Sequence, residues 1–198
     1  MDFSVPAELK EIRAAVRELC DGFPGEYWRG LEPDRYPTEF VAALTEHGWL
    51  AALIPEEFGG AGLGLTAASV ILEEINASGC NSGACHAQMY TMGTILRHGS
   101  AEQKQRYLPR IASGELRLQA FGITEPSAGT DTSAIRTTAV KKGDRYVVDG
   151  QKVWTSRAAR ATSSCSPARR CGRRTACARA RSCCSRRPTR TRSRAIAA

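Results

Sequence analysis

After Arg157 the chain offers almost nothing from which a hydrophobic core could be built. Its last 41 residues use only Ala, Arg, Thr, Ser, Cys, Pro, Gly and the single Ile196, with no aromatic residue, Leu or Val. Ordering a segment costs conformational entropy that apolar burial must offset, so residues 158–198 are expected to be disordered. Whatever folds must be specified by the first 157 residues. The charge changes at the same place. The 198-residue chain has 28 Lys and Arg against 20 Asp and Glu, yet the tail alone holds 12 arginines and no Lys, Asp or Glu. The net +8 therefore belongs to the tail, and the part before it is mildly acidic.

Two readings of the tail compete. Clustered arginines attract phosphate, and a basic nucleic-acid arm would gain affinity from counterion release. No aromatic side chain interleaves these arginines for base stacking, which argues against nucleic acid. Ala, Arg, Pro, Gly, Ser, Thr and Cys are all written with GC-rich codons, the composition that a shifted frame of a GC-rich gene produces. Ser163 to Ala168 can be encoded AGC TCC TGC TCG CCC GCG. Begun one base earlier, that reads Gln, Lys or Glu and then Leu-Leu-Leu-Ala-Arg, a buried-strand pattern, so a frameshift is permitted.

Five of the eight cysteines lie in the tail without the Cys-x-x-Cys spacing of a zinc or redox site. Cys20, Cys80 and Cys85 read as core fillers of a reducing compartment. No run of about 18 apolar residues exists, and Met1-Asp2-Phe3 does not open a signal peptide. A cytoplasmic protein that touches no membrane is expected.

Before the tail, the hydrophobic period divides the chain. Leu9, Ile12, Val16 and Leu19 predict a helix over 6–21, with Pro6 in its first turn. Phe40, Val41 and Leu44 predict a second, N-capped by Thr38 and ended by Gly48. A third starts at Thr66 and carries Val70, Ile71, Leu72 and Ile75. Residues 81–98 predict a fourth, buried on nearly all faces. Ser100 and Gln103 form a capping box for a fifth, which Pro109 should limit. Residues 1–113 thus read as an all-α bundle. After Gly114, Leu116, Leu118 and Ala120 alternate with polar neighbours, Ile135 to Val140 is β-rich, and Lys142-Gly143-Asp144 turns into a strand at Tyr146 to Val148. Residues 114–157 therefore begin a β-domain that a lone hairpin cannot complete. The expected class is α+β: an all-α bundle, the start of an incomplete antiparallel β-domain, and a disordered C-terminal tail.

Two segments carry the chemistry. Phe121 to Asp131 (Phe-Gly-Ile-Thr-Glu-Pro-Ser-Ala-Gly-Thr-Asp) bends at Pro126 and Gly129 and offers the hydroxyls of Thr124, Ser127 and Thr130 beside free backbone donors. That suits an anionic or acceptor-rich ligand, although a plain polar turn would look the same. Gln151 to Ser156 sets the Trp154 indole beside the hydroxyls of Thr155 and Ser156, either as core or as a stacking plane for a flat heteroaromatic cofactor.

With Ile54 to Gly62, Glu73-Glu74 and Gly99 to Glu115, these segments resemble the acyl-CoA dehydrogenase family, in order from about residue 3 to Arg157. The resemblance implies an N-terminal helical domain, a middle β-domain and a C-terminal four-helix domain, of which this chain matches the first and the opening of the second. It implies that FAD is lined by Phe121, Gly122, Ile123, Thr124, Gly129 and Thr130, with Ile123 and Thr124 at the pyrimidine end of the ring. Thr130 would also meet the CoA arm of the substrate. Trp154 would cover one flavin face and Ser156 would aim its hydroxyl at N5, next to Thr155, in a Trp-Thr-Ser that replaces the more usual Trp-Ile-Thr.

The implied reaction is α,β-dehydrogenation of an acyl-CoA thioester to the trans-2-enoyl-CoA, with an electron-transfer flavoprotein or similar acceptor and a homo-oligomeric assembly. The family's base, a glutamate, comes from the C-terminal domain, so no catalytic residue is assigned and the chain is expected to be inactive alone. An acyl-CoA oxidase or a flavin monooxygenase of the same fold remains an alternative, as does a non-catalytic helical protein with a basic arm. No metal site is expected, because His47, His86 and His98 lack ligand spacing. Gly59 to Gly64 lacks the spacing of a dinucleotide fingerprint and reads as a flexible inter-helix loop. Of Glu73 and Glu74, adjacent on a helix, one should be solvated.

Overall fold

The computed structural model describes residues 6–33, 35–143 and 145–157, and the backbone of 164–170, 176–180 and 192–197. The chain divides into two compact units, Met1–Leu116 and Arg117–Ala198.

The first unit is helical throughout. Helix α1 (Ala7–Asp21) starts after Pro6 and buries Val16 and Cys20. A five-residue helix α2 (Gly25–Arg29), too short to show a period, follows Pro24. It exists because its aromatic residues have partners: Tyr27 and Trp28 meet Phe23 and Phe40 edge to face, with ring centroids 5.0–5.2 Å apart. Helix α3 (Thr38–Glu46) buries Phe40, Val41 and Leu44. Thr38 is its first residue rather than its cap, since Pro37 stands at the cap and its carbonyl already accepts from Val41 N–H at 2.9 Å. Gly48 then turns the chain at φ 76°, which a side chain would resist.

Helices α4 (Leu65–Ala77), α5 (Gly83–His98) and α6 (Ala101–Ala112) complete the unit. On α5 one face remains open, with His86, Tyr90, Arg97 and His98 exposed. The α6 capping box is present: Ser100 Oγ accepts from Gln103 N–H at 3.2 Å, and Gln103 Oε1 accepts from Ser100 N–H at 2.9 Å. Pro109 does not limit α6 but lies within its last turn. The carbonyl it leaves without a donor belongs to the exposed Gln105, and its own carbonyl still accepts from Ser113 N–H at 3.0 Å. Phe40, Leu44, Leu50, Ile54, Ile71, Ile75, Met92, Leu108 and Ile111 are all sealed from solvent and form the core.

The glycine loop between the third and fourth of these helices is firmly seated. Gly62 N–H donates to Ile54 O at 2.8 Å and Leu63 N–H to Ala52 O at 2.7 Å, and a Cβ at Gly60 would fall 2.1 Å from Ile54 O. The expected flexible loop is thus a packed turn, because the missing Cβ lets backbone lie on backbone.

The second unit begins with β1 (Ala120–Phe121), then a 3-10 turn at Thr132–Ala134, then the hairpin β2 (Thr138–Lys142) and β3 (Arg145–Asp149). The hairpin is antiparallel, pairs Lys142 with Arg145 and turns at Gly143 with φ 63°. Of the expected alternating strand at 116–120 only Ala120 is strand, and the inside-outside alternation is broken because Gln119 is buried along with Leu116, Leu118 and Ala120.

Three strands come from the segment expected to be disordered: β4 (Ser164–Arg170), β5 (Ala176–Ala180) and β6 (Arg192–Ala197). Strand β4 runs parallel to β1 and β2, β5 pairs β4, and β6 pairs β3, giving the order β1-β4-β2-β3-β6. Backbone pairing alone accounts for these stretches. A two-strand hairpin leaves both edges with unpaired N–H and C=O groups, and a strand needs no apolar side chain to pair with them. The remaining tail residues lie outside the described ones.

Candidate functional site

The two segments singled out in the sequence meet inside the second unit. Val153 N–H donates to Thr124 O at 2.9 Å, and Lys152 Nζ donates to Ile123 O at 2.9 Å. The first segment leaves β1 at Phe121, passes the buried Gly122, and closes on itself where Glu125 N–H donates to Ala128 O at 2.9 Å and Ala128 N–H to Glu125 O at 3.2 Å. Pro126 and Ser127 form the exposed tip, and Gly129 and Thr130 follow in the open. Asp131 then caps the 3-10 turn, its Oδ1 accepting from Ser133 N–H at 2.9 Å.

Glu125 is the hub of this bend. Its side chain is 3% exposed, and its carboxylate accepts from Arg136 N–H at 2.7 Å, Thr137 N–H at 3.0 Å, the Thr137 hydroxyl, and Lys152 Nζ at 2.9 Å. Burial alone would raise this carboxyl, but the donors from Thr137, Arg136 and Lys152 together outweigh it and bring the pKa down to about 2. Lys152 is itself nearly enclosed. Sequence reasoning missed both as site-building residues, along with Thr137. The one available signal was Lys152 placed two residues before a Trp in a segment otherwise read for its ring and hydroxyls.

The second segment presents its ring outward. Trp154 is 88% exposed at φ 59°, an uncommon backbone for a bulky residue and one that concentrates at ligand sites. Thr155 is half-buried and Ser156 exposed. Arg157, also left-handed at φ 57°, returns to the chain by donating Nε–H to Gln119 O at 3.2 Å. Of the nine residues proposed from the sequence, Ile123, Thr124 and the Trp154 segment are brought together directly. Phe121 and Gly122 lie where the bend leaves β1, and Gly129 and Thr130 at its open end. A Cβ at Gly129 would meet nothing within 4 Å. An open aromatic plane, exposed hydroxyls and a bend with room beside it fit a large, flat, acceptor-rich cofactor such as FAD. Among the described residues no His, Cys, Asp and Glu cluster could hold a metal ion, and no helix is long and apolar enough to cross a membrane.

Residues 6–115 match the family described as acyl-CoA dehydrogenase, N-terminal domain, and residues 120–184 its middle domain, a span that runs past Arg157 through β4 and β5. The chain is 39% identical over 170 residues to a glutaryl-CoA dehydrogenase of Desulfococcus multivorans, covering 81% of this chain and 43% of that protein. Among solved structures, a glutaryl-coenzyme A dehydrogenase in complex with glutaryl-CoA superposes with a TM-score of 0.75 at 34% identity, over 85% of this chain and 44% of that one. A glutaryl-CoA dehydrogenase from Mycobacterium smegmatis in complex with FADH2 gives a TM-score of 0.74 at 27% identity, over 84% and 43%. The chain thus spans less than half the length of these relatives.

Proposed function

Because the chain belongs to the acyl-CoA dehydrogenase family, we propose that it carries part of the FAD site of an enzyme that converts acyl-CoA thioesters to trans-2-enoyl-CoA. One observation carries the reading: the Thr124 and Trp154 segments are joined at Val153 with the indole left open beside them. FAD supplies the two-electron acceptor when bound. Backbone donors at Ile123 and the Thr124 hydroxyl suit the pyrimidine end, where negative charge develops, and fixed donors there stabilise that charge. Trp154 stacks on one ring face, Ser156 and Thr155 offer hydroxyls near N5, and Phe121, Gly122, Gly129 and Thr130 line the remainder, Thr130 meeting the CoA arm.

The acyl-CoA substrate, an electron-transfer flavoprotein as acceptor, and a homo-oligomeric assembly belong to the same proposal. A cytoplasmic location fits the free thiols of Cys20, Cys80 and Cys85, which a reducing compartment preserves. The test is uptake of FAD by the purified chain, read as flavin absorbance that elutes with protein. Acyl-CoA turnover by this chain with a dye acceptor is expected not to exceed that of free flavin, because no residue in it matches the family's base.

The same proposal divides the chain at residues 113 and 157 and reads residues 158–198 as out of frame, against the middle-domain match that continues to residue 184. With serine in its UCN codons, Ser163-Ser164-Cys165-Ser166 read one base earlier gives four apolar residues whatever the third bases are. Each position becomes Phe, Leu, Ile, Val or Met. The same shift turns Ser182-Cys183-Cys184-Ser185 into a second such run, with Leu forced at the third position. Strand β4 adds a structural argument: it lies between β1 and β2, an interior position where Pro167 withholds a ladder donor and a continuous apolar run is the usual occupant. Sequencing the gene across the codons for Trp154 to Ser164 decides it.

A further inference from the structure

We propose that the buried Glu125–Lys152 pair is a positioning device that sets the spacing of the two ring-binding segments before the flavin arrives, a role that rests on the flavin reading above. The two residues are 27 positions apart and meet at 2.9 Å, with side chains 3% and 12% exposed. Four further bonds make the join specific. Lys152 Nζ also donates to Ile123 O at 2.9 Å, and the adjacent Val153 N–H donates to Thr124 O at 2.9 Å. From the far side, Arg136 N–H and Thr137 N–H hold the Glu125 carboxylate at 2.7 and 3.0 Å.

One ammonium thus ties down the carbonyl of Ile123 and the side chain of Glu125, on either side of Thr124. Along the chain it precedes Trp154 by two residues. Shifting Lys152 moves the donor end of the site and the stacking plane relative to each other. A buried ion pair repays its desolvation poorly as a stabiliser, and its best-attested use is to fix one geometry among several. Neither residue is given ring contact: the pair acts through Ile123, Thr124 and Trp154.

The test compares the 198-residue parent with Lys152→Met, Lys152→Arg and Glu125→Gln. Amide exchange is followed by mass spectrometry in ligand-free protein, and FAD affinity by quenching of flavin fluorescence. Lys152→Met is expected to speed exchange at Val153 roughly tenfold, the scale of a lost hydrogen bond to a charged group, and to weaken FAD by a similar factor. Lys152→Arg is expected to restore much of both, because it returns the donor, which a general loss of folding would not reproduce. Glu125→Gln, which keeps the shape but removes the charge, should lie between. Helical circular dichroism, which reports the first unit, should not change in any variant. Unchanged exchange at Val153 in Lys152→Met overturns the proposal, and so does lost protection with undiminished FAD affinity. A parent that takes up no FAD would overturn the flavin reading instead, while exchange at Val153 would still decide whether the pair joins the segments.

Discussion

Arg17 donates Nε–H to the Glu74 carboxylate at 2.6 Å across the interface between α1 and α4, and the Glu74 side chain is sealed from solvent. Arg13 completes the arrangement, reaching Glu74 at 2.9 Å and Glu73 at 3.0 Å. Burial opposes the Glu74 charge, but the bonds from Arg13 and Arg17 prevail and hold its carboxyl below the usual range. Glu74→Gln is therefore expected to destabilise the helical unit by about 2 kcal/mol. That is less than the roughly 3–5 kcal/mol of a fully buried pair, because the Arg17 side chain is 60% exposed. Glu73→Gln, at a position 63% exposed, should stay within about 0.5 kcal/mol of the parent. Urea melts of both variants, read by helical circular dichroism, check the difference; equal midpoints would refute it.

A depressed carboxyl gives Glu125 a defined acid response. Its ordinary value is 4.5 and its folded value about 2. The stabilisation it contributes is complete above 4.5 and is lost as pH falls from there through about 2. Its size is on the order of 3 kcal/mol. Carbon-13 NMR of the labelled side-chain carboxyl should show no titration near pH 4.5. A Glu125 resonance that titrates there would mean that the donors from Thr137, Arg136 and Lys152 are not formed.

Three thiols should be inert. Burial pushes Cys85 up to about 12, and burial with the neighbouring Cys80 does the same to Cys20. Cys80 is raised as well, by burial, and its Sγ–H faces Cys20 O at 3.7 Å. The thiolate is the reactive form, so alkylation at pH 8 should leave Cys20, Cys80 and Cys85 unmodified in native protein and modify them in urea. Peptide mapping distinguishes them from the tail cysteines. Native labelling of Cys85 at its unfolded rate would contradict the packing of α5.

Gly60 and Gly64 form a matched pair. A Cβ at Gly60 would sit 2.1 Å from Ile54 O and 2.4 Å from Ile54 Cβ, whereas Gly64 has nothing within 4 Å and an extended backbone. Gly60→Ala should cost roughly 1–3 kcal/mol or more through overpacking. Gly64→Ala should be near neutral. Thermal melts that rank the two the other way would show the loop to be loose.

Legibility followed the length of the signal. Apolar periods placed α1, α3 and α4, a long run of small and apolar residues placed α5, and the Ser100–Gln103 capping box, a local rule met by local geometry, placed α6. Helix α2 was invisible because five residues cannot show a period, and its cause is the distant Phe40. Adjacency alone could not tell which of Glu73 and Glu74 is buried, since that depends on two arginines 57 to 61 residues away. Within the site, the bend and the indole were legible as chemistry. The Glu125–Lys152 pair that joins them was not, because pairing over 27 residues leaves no trace in spacing.

Restoring the frame after Arg157 gives the fullest test of the flavin reading. The restored protein is expected to retain FAD, since the apolar runs that replace Ser164 to Ser166 and, with serine in its UCN codons, Ser182 to Ser185 supply the sheet with buried side chains. Two substitutions should then separate by mechanism. Trp154→Ala removes a stacked ring worth on the order of 1 kcal/mol beyond its area, so flavin occupancy should fall first. Ser156→Ala removes one hydroxyl near N5, and a donor that acts on developing charge is worth about 3 kcal/mol, so single-turnover reduction by acyl-CoA should slow about a hundredfold at full occupancy. A Ser156→Ala protein that reduces at the parent rate would transfer the role to Thr155, which is half-buried beside it. If both variants kept full flavin and full rate, Trp154 to Ser156 would not belong to the flavin site, and the left-handed backbone of Trp154 would need another cause.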